Sequence, residues 1–219
     1  SSDLENTTIN NGGVQSVFAG GTAIGSVVNR GGRLEVSIWQ DEPVAGKTAV
    51  AGSANNVTVE ADGILSVDAG TSATDVVIKQ GGALWATTDS TVTGTNSLGD
   101  FFIDGTTHIA TNVLLENGGR LDVLGNGIAD TTTVNQGSIL AVATGGKAQN
   151  IVMHDGGVLI ADTGATVSGT NTTGAFGIDG ATGKASNLRL DNGSQFTVLG
   201  NGSADNTTVG AGSTLNVAQ

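Results

Sequence analysis

Carboxylates are the first residues to examine in a chain with 20 Asp and Glu against 8 Lys and Arg, a net charge of −12. Hydrolysis or elimination at a glycosidic bond needs two carboxyl groups held on either side of it. Glu60, Asp62, Glu116, Asp155, Asp162 and Asp191 are of the right type. No two of them share a spacing that marks a pair, so solvated surface charge is their expected role and a polysaccharide-active enzyme ranks as a distant alternative. His108 and His154 lack the HxxxH or HxH partner that a zinc site uses. With no Cys there is neither a disulfide nor a thiolate ligand. No GxxxxGK[ST] is present and no GxGxxG opens a helix, which removes the phosphate cradles. Gly118-Gly119-Arg120-Leu121-Asp122 breaks the nonapeptide of calcium β-rolls. The reading is no catalytic residue, no cofactor and no metal.

What would position any site is a repeat. A glycine turn recurs with its first residue at Gly12, Gly31, Asp62, Gly81, Gly118, Gly137, Gly156, Gly193 and Gly212. The spacings are 19, 31, 19, 37, 19, 19, 37 and 19. The unit is thus 19 residues, with one insertion of 12 and two of 18. Three and five residues before a turn stand apolar side chains such as Val57 and Val59 or Val113 and Leu115; three and five after it stand Leu65 and Val67 or Leu121 and Val123. Period-two alternation of this kind marks strands with one buried face. A third inward column is small: Ala23, Ala73, Ala129, Ala148 and Ala204.

The unit therefore reads as strand, corner, strand, corner and a short third side. That is all-β: a right-handed parallel β-helix (β-solenoid) of about 19 residues per coil and roughly twelve coils, with the hand set by the parallel crossover. One coil cannot bury enough surface to offset its ordering entropy, whereas a stack can. Residues 1–219 form a single solenoid. The insertion near 38–50, holding the one Pro (Pro43), is expected to bulge as a loop. The insertions near 91–108 and 166–183 repeat one another (Thr91–Asn96 as Thr166–Asn171, Ile103–Gly105 as Ile178–Gly180) and are expected to be one divergent coil each. The chain opens without Met and ends in mid-repeat at Thr214–Val217, which predicts a longer natural polypeptide.

A rod of this kind presents rows of side chains, one per coil. The position two before each turn reads Asn10, Asn29, Glu60, Lys79, Glu116, Asn135, His154 and Asp191. Asn and Asp suit turns for backbone reasons; the same row is also a candidate ladder for homotypic contact, two rods pairing antiparallel through many weak hydrogen bonds. Trp39, in the loop insertion, and Trp85, at an outward position, are candidate contacts for a receptor or sugar; an outward Trp equally packs against the neighbouring coil. The acid balance excludes nucleic acid as a main partner. No apolar run spans a bilayer, so this segment does not insert in a membrane.

Val113–Val123, Gly81-Gly82-Ala83-Leu84 and Thr91-Val92-Thr93-Gly94 resemble the passenger of the self-associating autotransporters, the group that includes AIDA, TibA and antigen 43. The resemblance is closest from about Val57 to the C-terminus and weaker over the first fifty residues. It implies a β-helical stem on the surface of a Gram-negative bacterium, anchored by a C-terminal β-barrel that this sequence does not contain. It also implies autoaggregation, biofilm formation and adhesion, with O-linked heptose on Ser or Thr in some members. The expected function is a non-enzymatic adhesin stem that associates with itself. An adhesin that binds a host glycan or protein receptor is the alternative.

Overall fold

A computed structural model describes residues 3–39 and 50–219. It is all strand: 31 short strands and no helix among the described residues. One strand after each glycine turn builds a nine-stranded parallel sheet from Val14–Val17 to Thr214–Ala218. Its register follows the repeat: Leu34 pairs with Leu65, Leu65 with Leu84, Leu121 with Leu140 and Leu140 with Leu159. These leucines are essentially fully buried. Most of their outward neighbours, Arg33, Glu35, Arg120 and Asp122 among them, stay half-exposed, as alternation requires. The stack rises about eleven turns.

The other walls form an eighteen-stranded sheet. Its inward column is small, with Ala23 against Ala54 and Ala54 against Ala73, then Ala110, Ala129 and Ala148 in sequence. The leucine column and the alanine column together make a continuous core along the axis. The turns stack as well: Gly12 N donates to Gly31 O, Gly31 N to Asp62 O and Asp62 N to Gly81 O, each at 2.9 Å.

A third corner column, beyond the two that the repeat predicts, closes each coil. Six residues before eight of the nine glycine turns the chain adopts φ of 50–56°, at Asn6, Asn56, Asp75, Asn112, Thr131, Asn150, Asn187 and Asn206; before the Gly31 turn Gly25 takes the place, at 68°. A single left-handed residue turns the chain sharply, and Asn tolerates that conformation better than other residues with a Cβ.

The two 18-residue insertions are not extra parallel coils. Thr91–Asn96 turns back on Gly99–Asp104, which turns again into Ile109–Thr111, and both pairings are antiparallel. Thr166–Asn171, Gly174–Asp179 and Lys184–Ser186 do the same. The nine-stranded sheet takes a single step over each insertion, Ala83–Thr87 pairing directly with Arg120–Val123 and Val158–Asp162 with Gln195–Leu199. Tight reversals at Asn96–Gly99 and Asn171–Gly174 favour a hairpin over another lap of the coil. Asn96 Oδ1 accepts from Leu98 N and Asn171 Oδ1 from Thr173 N, both closing such turns. Each hairpin buries Val92 and Ile103, or Val167 and Ile178, in line with the alanine column.

The loop insertion leaves the stack on an antiparallel pair, Ile38 with Ala51 and Trp39 with Val50. The rest of that expected loop, residues 40–49, lies outside the described residues, and so does the side chain of Trp39.

Candidate functional site

Parallel stacking brings the expected ladder together. Asn29 Nδ2 donates to Asn10 Oδ1 at 2.9 Å, Lys79 Nζ to Glu60 Oε1 at 2.7 Å and Asn135 Nδ2 to Glu116 Oε1 at 3.2 Å. Each pair is one repeat apart, so the bonds run along the rod axis. Glu116 also accepts from Gly81 N at 2.9 Å, which carries the row across the first insertion. Asp191 instead faces Arg189 at 2.7 Å, while His154 stands exposed. Beside the row, Asp62 at the turn itself joins Arg30 at 3.1 Å and accepts from Asn117 at 2.7 Å. This edge is thus a row of polar groups tied in pairs along its first six positions.

Trp85 is half-buried on the nine-stranded sheet. Its indole Nε1 donates to Gly118 O at 2.8 Å, and the Arg33 guanidinium lies 4.6 Å from the ring centroid. The indole therefore spans neighbouring coils, with one face occupied.

Asp122 and Asp162 line one shallow depression of about 440 Å³ over Ala141 and Ile160. Asp122 is held by Arg120 Nε at 2.8 Å, and Asp162 by Thr144 Oγ1 at 2.6 Å and Gly164 N at 2.7 Å. Glu60, Asp62, Glu116 and Asp191 lie along the turn edge, with Asp155 bonded to Arg189 and Thr172. His108 Nδ1 lies 2.6 Å from Asp89 Oδ1. Among the described residues no group of three or more His, Cys, Asp or Glu could hold a metal ion.

Among the described residues four carboxyls depart from their ordinary range. Backbone donation from Thr106 and the Thr107 hydroxyl lower Asp104. The Thr182 hydroxyl and Ala181 N do the same for Asp179 in the second hairpin, and Asn150 lowers Asp130. Asp68 is raised, by desolvation first and by the charge of Glu35 second.

Two buried threonines went unnoticed in the sequence. Thr88 Oγ1 accepts from Leu124 N at 3.2 Å, and Thr163 Oγ1 from Leu199 N at 2.9 Å. They lie where the nine-stranded sheet crosses each insertion. The signal available was their 75-residue offset, the same offset that relates the two hairpins.

An all-strand rod with stacked glycine turns and twin hairpins matches one family model over residues 93–157 and 168–219, more than half of the chain: AIDA, "Adhesin of bacterial autotransporter system, probable stalk". The chain belongs to this family. The matched stretches run from the first hairpin to the C-terminus and include most of both hairpins. A solved structure of a TibA fragment, residues 55–350, hyper-glycosylated by TibC, is 21% identical to this adhesin stalk. The alignment covers 100% of this chain and 89% of that one, at a TM-score of 0.39.

Proposed function

We propose that this adhesin stalk associates with a second copy of itself on an opposing cell, rod against rod and antiparallel, through the ladder Asn10, Asn29, Glu60, Lys79, Glu116, Asn135, His154 and Asp191. The axial bonding of Asn29 to Asn10, Lys79 to Glu60 and Asn135 to Glu116 carries this reading. Such bonds hold the side chains in one rotamer before any partner arrives, which reduces the ordering cost of association. They use only part of each group's capacity, since an Asn amide can make about four hydrogen bonds. Each remaining contact is worth only about 0.5–1.5 kcal/mol, and a long row displayed in many copies sums them. Rods of like charge repel at long range, so added salt strengthens or barely alters this association.

The rod does this without catalysis, on the surface of a Gram-negative bacterium, held by a β-barrel outside this sequence. Exposed hydroxyls such as Thr106, Thr107 and Thr173 are available for O-linked heptose. Intact mass of the protein from its native host tests that addition, and an unmodified mass rejects it.

The test of self-association is settling. The chain is displayed on non-aggregating bacteria beside a variant with Asn29, Glu60, Lys79, Glu116, Asn135 and Asp191 changed to Ala. Rapid settling of the first alone, at equal display, is expected. Equal settling of both removes the ladder from the interface. Settling of neither favours the alternative reading, a host receptor or glycan.

A further inference from the structure

The two hairpins are built alike, yet they differ at one outward position. In the first, Phe102 stands between Thr93 and Thr111 with 42% of its surface exposed. In the second, Gly177 takes that place between Ser168 and Ser186. Without a side chain there, the outer face opens into a groove of about 870 Å³. Thr166, Ser168, Lys184, Ser186, Ser203 and Asp205 line it and make no side-chain hydrogen bond within the protein among the described residues. Asp179, also in the lining, is turned to its own hairpin by Ala181 N and Thr182 Oγ1.

The distribution of cations is the second observation. Arg30, Arg33, Lys79, Arg120 and Arg189 each lie within ion-pair distance of a carboxylate. Lys147 and Lys184 do not, among the described residues; the field of Lys184 lowers the Asp179 carboxyl without a contact. Both lysines belong to the outward column of this face. Lys147 pairs with Thr166 one rung below the groove, and Lys184 with Asp179 within it. In a chain of −12 net charge, these ammonium groups are the described cations left for an anion to use.

We propose that this groove binds an acidic oligosaccharide lying along the stack, its hydroxyls on Thr166, Ser168, Ser186 and Ser203 and its carboxylates on Lys147 and Lys184. The lysines are three rungs apart, about 14 Å, so the ligand is a chain of several sugars. Closely spaced polar side chains on a stiff sheet suit a polyhydroxylated ligand, since their backbone positions are fixed before it arrives. The charge of the remainder of the rod is screened beyond about 8–10 Å at physiological salt, so the groove's own groups decide: Lys147 and Lys184 for the ligand's carboxylates, with Asp179 turned to its own hairpin and Asp205 left to accept from a sugar hydroxyl.

The test is calorimetric titration of the whole 219-residue chain with a homogeneous galacturonic acid oligosaccharide and with its methyl ester. Binding of the acid and not of the ester is expected, weakening as salt rises. Replacing both lysines (Lys147→Gln with Lys184→Gln) should lower affinity by about tenfold or more. Gly177→Phe should abolish binding by restoring the ring that the first hairpin carries. Gly177 lacks a left-handed φ and its added Cβ would meet only Val167 O, at 3.3 Å, so the variant can fold. Arg30→Gln, on the turn edge, should bind as the parent does. Absence of binding by the parent chain, equal binding of acid and ester, or undiminished binding by the lysine variant each overturns the proposal. If Gly177→Phe fails to melt cooperatively, the lysine variant decides alone.

Discussion

Trp85 pairs with Arg120 and not with Asp122, although the repeat places Trp85 and Asp122 at the same distance from their turns. The nine-stranded sheet has slipped by two residues where it crosses the first hairpin, so that Ala86 faces Leu121. The second hairpin does the same, with Ala161 facing Phe196. A slip of one residue would have sent every inward side chain to solvent, while a slip of two keeps the faces in order. The hairpin thereby adds strands to one wall, and the opposite wall absorbs the mismatch in register.

That slip brings Trp85 over Gly118 and beneath Arg33, and the contact should be measurable. Trp85→Ala removes the Gly118 hydrogen bond, the guanidinium stack and half-buried aromatic surface. Together these should cost about 2 kcal/mol in urea unfolding. Trp85→Phe keeps most of the ring and should cost about 1 kcal/mol. A receptor-only role for Trp85 would leave both midpoints where they are.

Gly94 and Gly169 sit where each first hairpin strand skips a residue against its neighbour, between Ala73 and Val76 and between Ala148 and Ile151. A Cβ on Gly94 would lie 2.0 Å from Val76 O, and one on Gly169 2.2 Å from Ile151 O. Backbone cannot yield as a flexible side chain does. Gly94→Ala or Gly169→Ala should each cost about 3 kcal/mol. The check is the thermal midpoint beside Gly118→Ala, whose added Cβ meets nothing within 4 Å and whose cost comes from its φ of +82° alone. Equal loss in all three would place the cost in backbone conformation.

Much of this was legible in advance. The leucine and alanine columns, the turn positions and the ladder neighbours follow from a strict 19-residue period, because in a solenoid equal offset in sequence becomes adjacency in space. The corner residues were equally periodic, at six before each turn, and needed only that offset to be read. The hairpins were misread because 18 residues is nearly one coil, and length alone does not separate a lap from a reversal. Direction was encoded locally, in Asn96-Ser97-Leu98-Gly99 and its counterpart Asn171-Thr172-Thr173-Gly174. The groove at Gly177 could not be read at all: it depends on which column of a reversed strand faces out.

Thr88 and Thr163 test whether the two crossings are independent. Each hydroxyl is buried and accepts from a backbone N–H that the slipped register leaves without a strand partner. Thr88→Val or Thr163→Val keeps the shape and strands that donor, which should cost about 1–2 kcal/mol each. With the sites 75 residues apart in sequence and sharing no partner, the double variant should lose the sum to within about 0.5 kcal/mol. Urea unfolding of the four proteins closes the cycle; a large departure from the sum would mean that the hairpins are coupled through the stack.

Acid titration separates carboxyls that support the fold from one that opposes it. Asp104, Asp130 and Asp179 are lowered in the folded chain by the hydrogen bonds they accept. Their contribution is complete above the unfolded value, near 3.8, and is lost as pH falls through the lower folded values. Asp68 has the opposite sign. Desolvation and Glu35 raise it, so its charge opposes folding at neutral pH. That penalty fades as pH falls through the raised folded value and is gone below the unfolded one. Asp68→Asn should therefore raise the thermal midpoint at pH 7 and leave it unchanged near pH 3, whereas Asp179→Asn should lower it at pH 7 and converge with the parent only in stronger acid. A lower midpoint for Asp68→Asn at pH 7 would show that the carboxylate is stabilised where it stands, the nearby Arg33 charge outweighing the desolvation and the Glu35 charge that raise it.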